Sequence, residues 1–204
     1  GSENRQLWKL ELAKSSKRKR GSLKFYLSNV NTGSVNLSTG NSKIMQTSET
    51  TLRDGNLWNV YLSRNTNTAS NALTQSYDLY AALQDGDRIS EVISASMRLS
   101  SSANISAFTG TGSFSGSTDT LGSKNLIVGG TDFSGSISEI RMWSGSLSAS
   151  SFKMHVLDKH STRGNSILDS QNKLIYRFRL NENTPSASAQ TITDASNSDV
   201  VNMD

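Results

Sequence analysis

The sequence contains no cysteine, so no disulfide braces the fold and no thiol is available as nucleophile or metal ligand. Histidine is almost as scarce. His155 and His160 are the only two, and positions five apart on a helix do not converge on one metal ion, so structural or solvent-facing roles are expected of both. With no histidine set beside a carboxylate, the abundant serines carry no triad signal. Long apolar runs are missing too. None approaches the roughly 20 residues that cross a bilayer as a helix, and no membrane partner is expected. Charged residues make up 19% of the chain and hydrophobic residues 34%, both below the averages for globular domains. Low charge argues against a disordered chain, which usually repels itself strongly. Ser, Thr, Asn and Gly fill the gap, a composition that suits short strands with one solvated face and long polar loops. At 204 residues the chain suffices for one larger all-β domain or two small ones.

The positive charge that is present sits in one place. The net charge is +4, yet Lys14, Lys17, Arg18, Lys19 and Arg20 of "KSSKRKRGS" account for all of it: the remaining 16 basic residues face 17 acidic ones. A nucleic-acid-binding domain spreads its cations over a face and sets base-reading side chains among them. Here Ser and Gly flank the five and no aromatic stands between them, so no nucleic-acid partner is expected. An anionic neighbour or a polysaccharide fits the segment better.

The dominant period along the chain is two. Trp8, Leu10 and Leu12 alternate with charged residues, as do Leu23, Phe25 and Leu27 with Lys24 and Tyr26. Both runs predict half-buried strands, which makes the basic segment the tip of the hairpin between them, where Lys and Arg also discourage edge-to-edge pairing. Further strands are predicted at 43–47, 57–64, 77–83, 92–99, 125–129, 136–143 and 174–180. The punctuation between them is Thr39-Gly40-Asn41, Asp54-Gly55-Asn56 and Asp85-Gly86-Asp87, steps that accept the positive φ of tight turns. One short helix is predicted in "LSASSFKMHV", with Ser148 as its cap and Leu147 and Phe152 as the two ends of a hydrophobic staple. Gly1-Ser2 reads as a cloning scar. Residues 1–4 are expected to be a leader, 5–183 one domain with 100–123 as a low-complexity loop, and 184–204 a polar tail or the start of a following module.

Two stretches carry a resemblance. The segment "LIVGGTDFSGSISEIRMWSGSLSASSF", residues 126–152, resembles the C-terminal half of laminin-G-like, or concanavalin A-like, jelly-roll domains. Phe133, Gly135, Ile137, Glu139, Ile140, Trp143, Leu147 and Ser148 match that pattern. Upstream, "LRDGNLWNVYLSR" is similar to the family's Asp-Gly-x-x-Trp-x-x-Val strand through Asp54, Gly55, Trp58 and Val60. The tail "FKMHVLDKHSTRGNS…KLIYRFRLNEN" resembles the variant of this module found in large virion proteins of marine tailed phages. Residues 176–199 resemble the opening of such a domain, and so read either as a closing strand or as the start of a further repeat. The resemblance implies an all-β antiparallel sandwich, a jelly roll with one short helix. It also implies a non-enzymatic module of a virion or extracellular surface protein. Assembly or adhesion would be its task, with glycans, other modules of the same polypeptide or neighbouring virion proteins as partners. A bacterial cell-surface adhesin module with its own carbohydrate site is the alternative.

Glycanases of this fold class need two carboxylates facing the scissile bond. The six glutamates, Glu3, Glu11, Glu49, Glu91, Glu139 and Glu182, include no close pair, so hydrolysis is not expected. Glu139 alternates with Arg141 and reads as one half of a surface ion pair. Calcium is the one cofactor the resemblance implies. Asp85, Asp87 and Asp132 are the loop carboxylates open to it, although aspartates also occupy turns for local reasons. Trp58 and Trp143 are expected in the core. Tyr26, Tyr61 and Tyr80, opposite the inward-facing sets, are the candidate sugar-stacking residues, with Ser- and Asn-rich loops around 31–42 and 64–76 as sources of polar contacts.

Overall fold

The first hairpin forms as the alternation predicts. Strand β1 (Trp8–Lys14) pairs antiparallel with β2 (Gly21–Ser28), which pairs in turn with β3 (Ser42–Gln46). The register sets Leu10 opposite Phe25, Leu12 opposite Leu23 and Phe25 opposite Met45. One face of this sheet is therefore apolar, and the other carries Lys9, Glu11, Lys24, Tyr26 and Ile44, as period-two side chains require. The computed structural model describes residues 8–28, 42–67, 74–100, 128–129 and 133–180. The chain divides into two compact units, one of Gly1–Ala82 with Glu91–Phe133, the other of Leu83–Ser90 with Ser134–Asp204.

A second three-stranded sheet, in the order β4 (Trp58–Asn67), β5 (Thr74–Asp85), β6 (Arg88–Leu99), lies in the first unit except for its β5–β6 tip, residues 83–90. Tyr77, Leu79 and Ala81 of β5 and Ile93 and Leu99 of β6 are buried in one cluster with Leu23, Phe25, Leu27 and Met45. The Phe25 and Tyr77 rings, one from each sheet, lie 5.5 Å apart, and Trp8 approaches Phe25 at 6.4 Å. Two antiparallel sheets thus share one core, the expected all-β sandwich. Each fully buried Leu in it, such as Leu27 and Leu79, contributes about 1.5–3 kcal/mol. Trp58 packs against this core as expected.

Besides the β5–β6 tip, the second unit is built from a short antiparallel pair and two helices. Strand β7 (Ile140–Trp143) pairs with β8 (Leu174–Phe178). Helix α1 (Ala149–Leu157) starts where the cap was predicted: Ser148 Oγ accepts the Ser151 N–H, and Phe152 and Val156 are buried on one face. A second helix, α2 (Ile167–Asn172), was not expected. Ser166 caps it by accepting the Asp169 N–H, and Lys173 pairs with Asp169 at 2.8 Å. Its apolar residues, Ile167 and Leu168, are exposed, so no buried stripe marks it in the sequence.

Two strand expectations change. The strand predicted at 136–143 begins only at Ile140, because Glu139 takes the left-handed conformation, φ 55°, which cannot continue an extended strand. Val128 and Gly129 of the 125–129 prediction are not in a strand, and the rest of that segment lies outside the described residues. So do residues 1–4, 101–123 and 184–204. The strand predicted at 174–180 forms over 174–178 as the partner of β7, and of 176–199, with its two readings open, residues 181–199 lie outside the described residues.

Candidate functional site

The basic tip is the connection between β1 and β2, and it is not a free loop. The Ser15 N–H donates to Arg20 O at 3.1 Å, and the Arg20 N–H to Lys17 O at 3.2 Å. Residues 49–53 then hold it from the side. Gly21 and Thr50 exchange both backbone hydrogen bonds at 2.9 Å, and the Arg53 N–H donates to Lys19 O at 3.1 Å. Ser15 Oγ donates to Glu49 Oε2 at 2.9 Å, and Arg20 Nη2 to Glu49 O at 2.7 Å. Lys17, Arg18 and Lys19 are exposed, as is Lys14 at the end of β1, while Arg20 is half-buried. Lys19 sits at φ 62°, a position where a glycine would be unstrained. Gly21 is required: a Cβ there would meet Ala13 O at 2.8 Å.

Of the three candidate tyrosines, the structure brings two together. Tyr61 of β4 and Tyr80 of β5 stack with ring centroids 6.2 Å apart and planes at 25°. They lie on the face of the second sheet turned away from the core, since their chain neighbours Leu62, Leu79 and Ala81 pack inward. Asn59, on the same side of β4 as Tyr61, has a buried Nδ2 without a hydrogen-bond partner among the described residues. Asp78, half-buried, shares the face of β5 with Tyr80. A stacked aromatic pair beside a carboxylate acceptor is an arrangement that can take a sugar ring: apolar C–H faces on the rings, a hydroxyl on the carboxylate. Tyr26 stands apart, on the first sheet, with Lys9 Nζ 4.7 Å above its ring and Lys9 paired to Glu11.

The aspartates Asp85 and Asp87 flank Gly86, at φ 59°, in the β5–β6 turn, and Asp85 faces Arg88 at 3.7 Å. Asp132 lies outside the described residues. Among the described residues no three His, Asp or Glu side chains gather in a way that could hold a metal ion, and no helix is long and apolar enough to cross a membrane.

The most connected polar site was missed in the sequence. Glu139, read there as half of a surface pair with Arg141, is buried, its side chain 5% exposed. Its Oε2 accepts from Arg177 Nε at 3.2 Å and faces Arg141 Nε at 3.7 Å. Its Oε1 lies 3.4 Å from His160 Nδ1. Arg177, on β8, is 1% exposed and donates through Nη2 to His160 O at 2.9 Å. Arg141, on β7, donates to Ser161 O and Lys159 O and to Nδ1 of buried His155 at 2.9 Å. Because an arginine only donates, His155 Nδ1 is an acceptor and the imidazole proton sits on Nε2, which donates to Arg163 O at 2.6 Å.

The carbonyls of residues 159, 160, 161 and 163 therefore turn inward onto two guanidiniums and one neutral imidazole. Burial, and secondarily the Arg141 charge, hold His155 below the ordinary histidine pKa. Ser151 adds a further anchor, its Oγ donating to Gly164 O at 3.3 Å. The network is a clamp on the α1–α2 loop, with its donors spent on carbonyls. The one sequence signal that pointed to it was His155 on the inward side of α1, one position from Val156 and four from Ser151. No family model, curated protein or solved structure matches the chain.

Proposed function

We propose that this chain is a non-catalytic recognition module of the laminin-G-like kind. In this reading it belongs to a larger virion or extracellular surface protein and supports assembly or adhesion by holding glycans. The observation that carries the reading is the stacked Tyr61–Tyr80 pair on the outward face of the second sheet. Tyr77, the core aromatic of β5, lies on the opposite face of the sheet. The resemblance of residues 52–64 and 126–152 to laminin-G-like domains adds support. A β-sandwich by itself adds little, since function lives in sites placed on folds.

A glycan array probed with and without calcium tests the proposal. Saturable binding is expected, weakened about tenfold by Tyr61→Ala or Tyr80→Ala, as loss of a stacking contact worth about 1 kcal/mol or somewhat more implies. Absence of binding to every neutral and acidic glycan would refute a glycan partner. Calcium-dependent binding that survives both tyrosine substitutions would move the site to the loop aspartates.

A further inference from the structure

The clamp around His155 has the geometry of a switch. His155 Nδ1 receives a hydrogen bond from Arg141 Nη1, while Nε2–H donates to Arg163 O, so the imidazole connects β7 to the α1–α2 loop only in its neutral form. A proton added at Nδ1 removes that acceptor and sets a second cation against Arg141. The charged groups around it do not offset this. From β7, Arg141 opposes the proton; at the end of α1, Asp158 favours it more weakly. Glu139, the one buried carboxylate among the described members of the cluster, is already shared by Arg141, Arg177 of β8 and His160. The Trp143 ring of β7 packs on the imidazole at 5.7 Å and leaves little water to solvate the added charge. His160 Nδ1 lies 3.4 Å from Glu139 Oε1, on the far side of the cluster from His155 Nδ1 and its Arg141 donor.

We propose that the His155–Arg141 contact is an acid-sensitive latch, which frees the loop of residues 158–164 when His155 takes up a proton. Neutral His155 closes the carbonyl clamp, and acid opens it. The sign follows from linkage. A histidine held below its ordinary pKa in the folded state binds fewer protons than the unfolded chain once pH falls below about 6.5. The latch is at full strength above that pH and weakens as pH drops. One extra proton on the open form shifts the opening equilibrium by up to about tenfold per pH unit.

Hydrogen exchange of the full chain, resolved by mass spectrometry and corrected for the intrinsic pH dependence of exchange, reads this directly. Between about pH 7.5 and pH 5, protection of peptides covering 158–164 is expected to fall roughly tenfold or more, while β2 in the sandwich keeps its own. His155→Gln, whose amide can accept from Arg141 and donate to Arg163 O without titrating, is expected to abolish the pH response; His160→Gln is expected to retain it. A loop whose protection ignores pH, or a pH response that persists in His155→Gln, overturns the latch. Should His155→Gln fail to fold, imidazole NMR of the unaltered chain decides. The Nε2–H tautomer at neutral pH and a titration midpoint that coincides with loop opening support the latch. The other tautomer, or separate midpoints, overturns it.

Discussion

Replacing Glu139 with glutamine separates two readings of the same residue. If Glu139 and Arg141 were a surface pair, the change would shift stability by about 0–1 kcal/mol. In the structure the Glu139, Arg177 and Arg141 side chains are 5%, 2% and 10% exposed, so the substitution leaves two guanidiniums buried with no carboxylate between them. Breaking a buried pair in this one-sided way costs about 3–5 kcal/mol. That is a large share of the roughly 5–15 kcal/mol that holds a whole domain together. Glutamine keeps the shape and one acceptor oxygen, so packing loss adds little. Native-state hydrogen exchange in rising urea, followed at the amides of β7 and β8, reports the opening free energy of the second unit. The expected loss is about 3 kcal/mol or more. A companion Arg177→Met substitution closes a double-mutant cycle. The double variant, which buries one uncompensated cation fewer, is expected to be at least about 1 kcal/mol better than the two single losses added together. A Glu139→Gln loss under about 1 kcal/mol, with no coupling to Arg177, would refute the buried network as a structural keystone.

Three further outcomes are expected from urea or thermal melts and from hydrogen exchange. Neutralising Lys17 and Arg18, which point into water, changes stability by less than about 0.5 kcal/mol, whereas Lys19→Gly raises it by about 1 kcal/mol by relieving the left-handed backbone; a destabilised Lys19→Gly would contradict the geometry of the tip. Ser148→Ala costs about 1 kcal/mol of second-unit stability through loss of the α1 cap, seen as faster exchange at the start of α1, and a neutral result would show that the cap hydrogen bond does no work.

Features set by near neighbours in the chain were legible in the sequence. Ser148, Leu147 and Phe152 lie within five positions, so the start of α1 could be read from them alone, and the alternation of Leu23, Phe25 and Leu27 fixed which face of β2 is buried. Contacts between distant positions were not legible. Glu139 meets Arg177 across 38 residues, and alternation with Arg141 gave only the weaker half of its environment. The tip was placed correctly between β1 and β2, but nothing local showed that Glu49, Thr50 and Arg53 hold it. Tyr61 and Tyr80 were recognisable as outward-facing; their stacking depends on the β4–β5 pairing, which alternation leaves open. Helix α2 escaped because its stability is local capping rather than a buried stripe.

The packing of Trp143 on His155 has an optical consequence. An excited indole loses its emission to a protonated imidazole far more readily than to a neutral one. Trp8 and Trp58 pack against the sandwich core cluster of the first unit. The molecule accordingly contains its own gauge of clamp protonation: a dimming of Trp143 as acid reaches the ring beneath it, readable in an unlabelled sample and in real time.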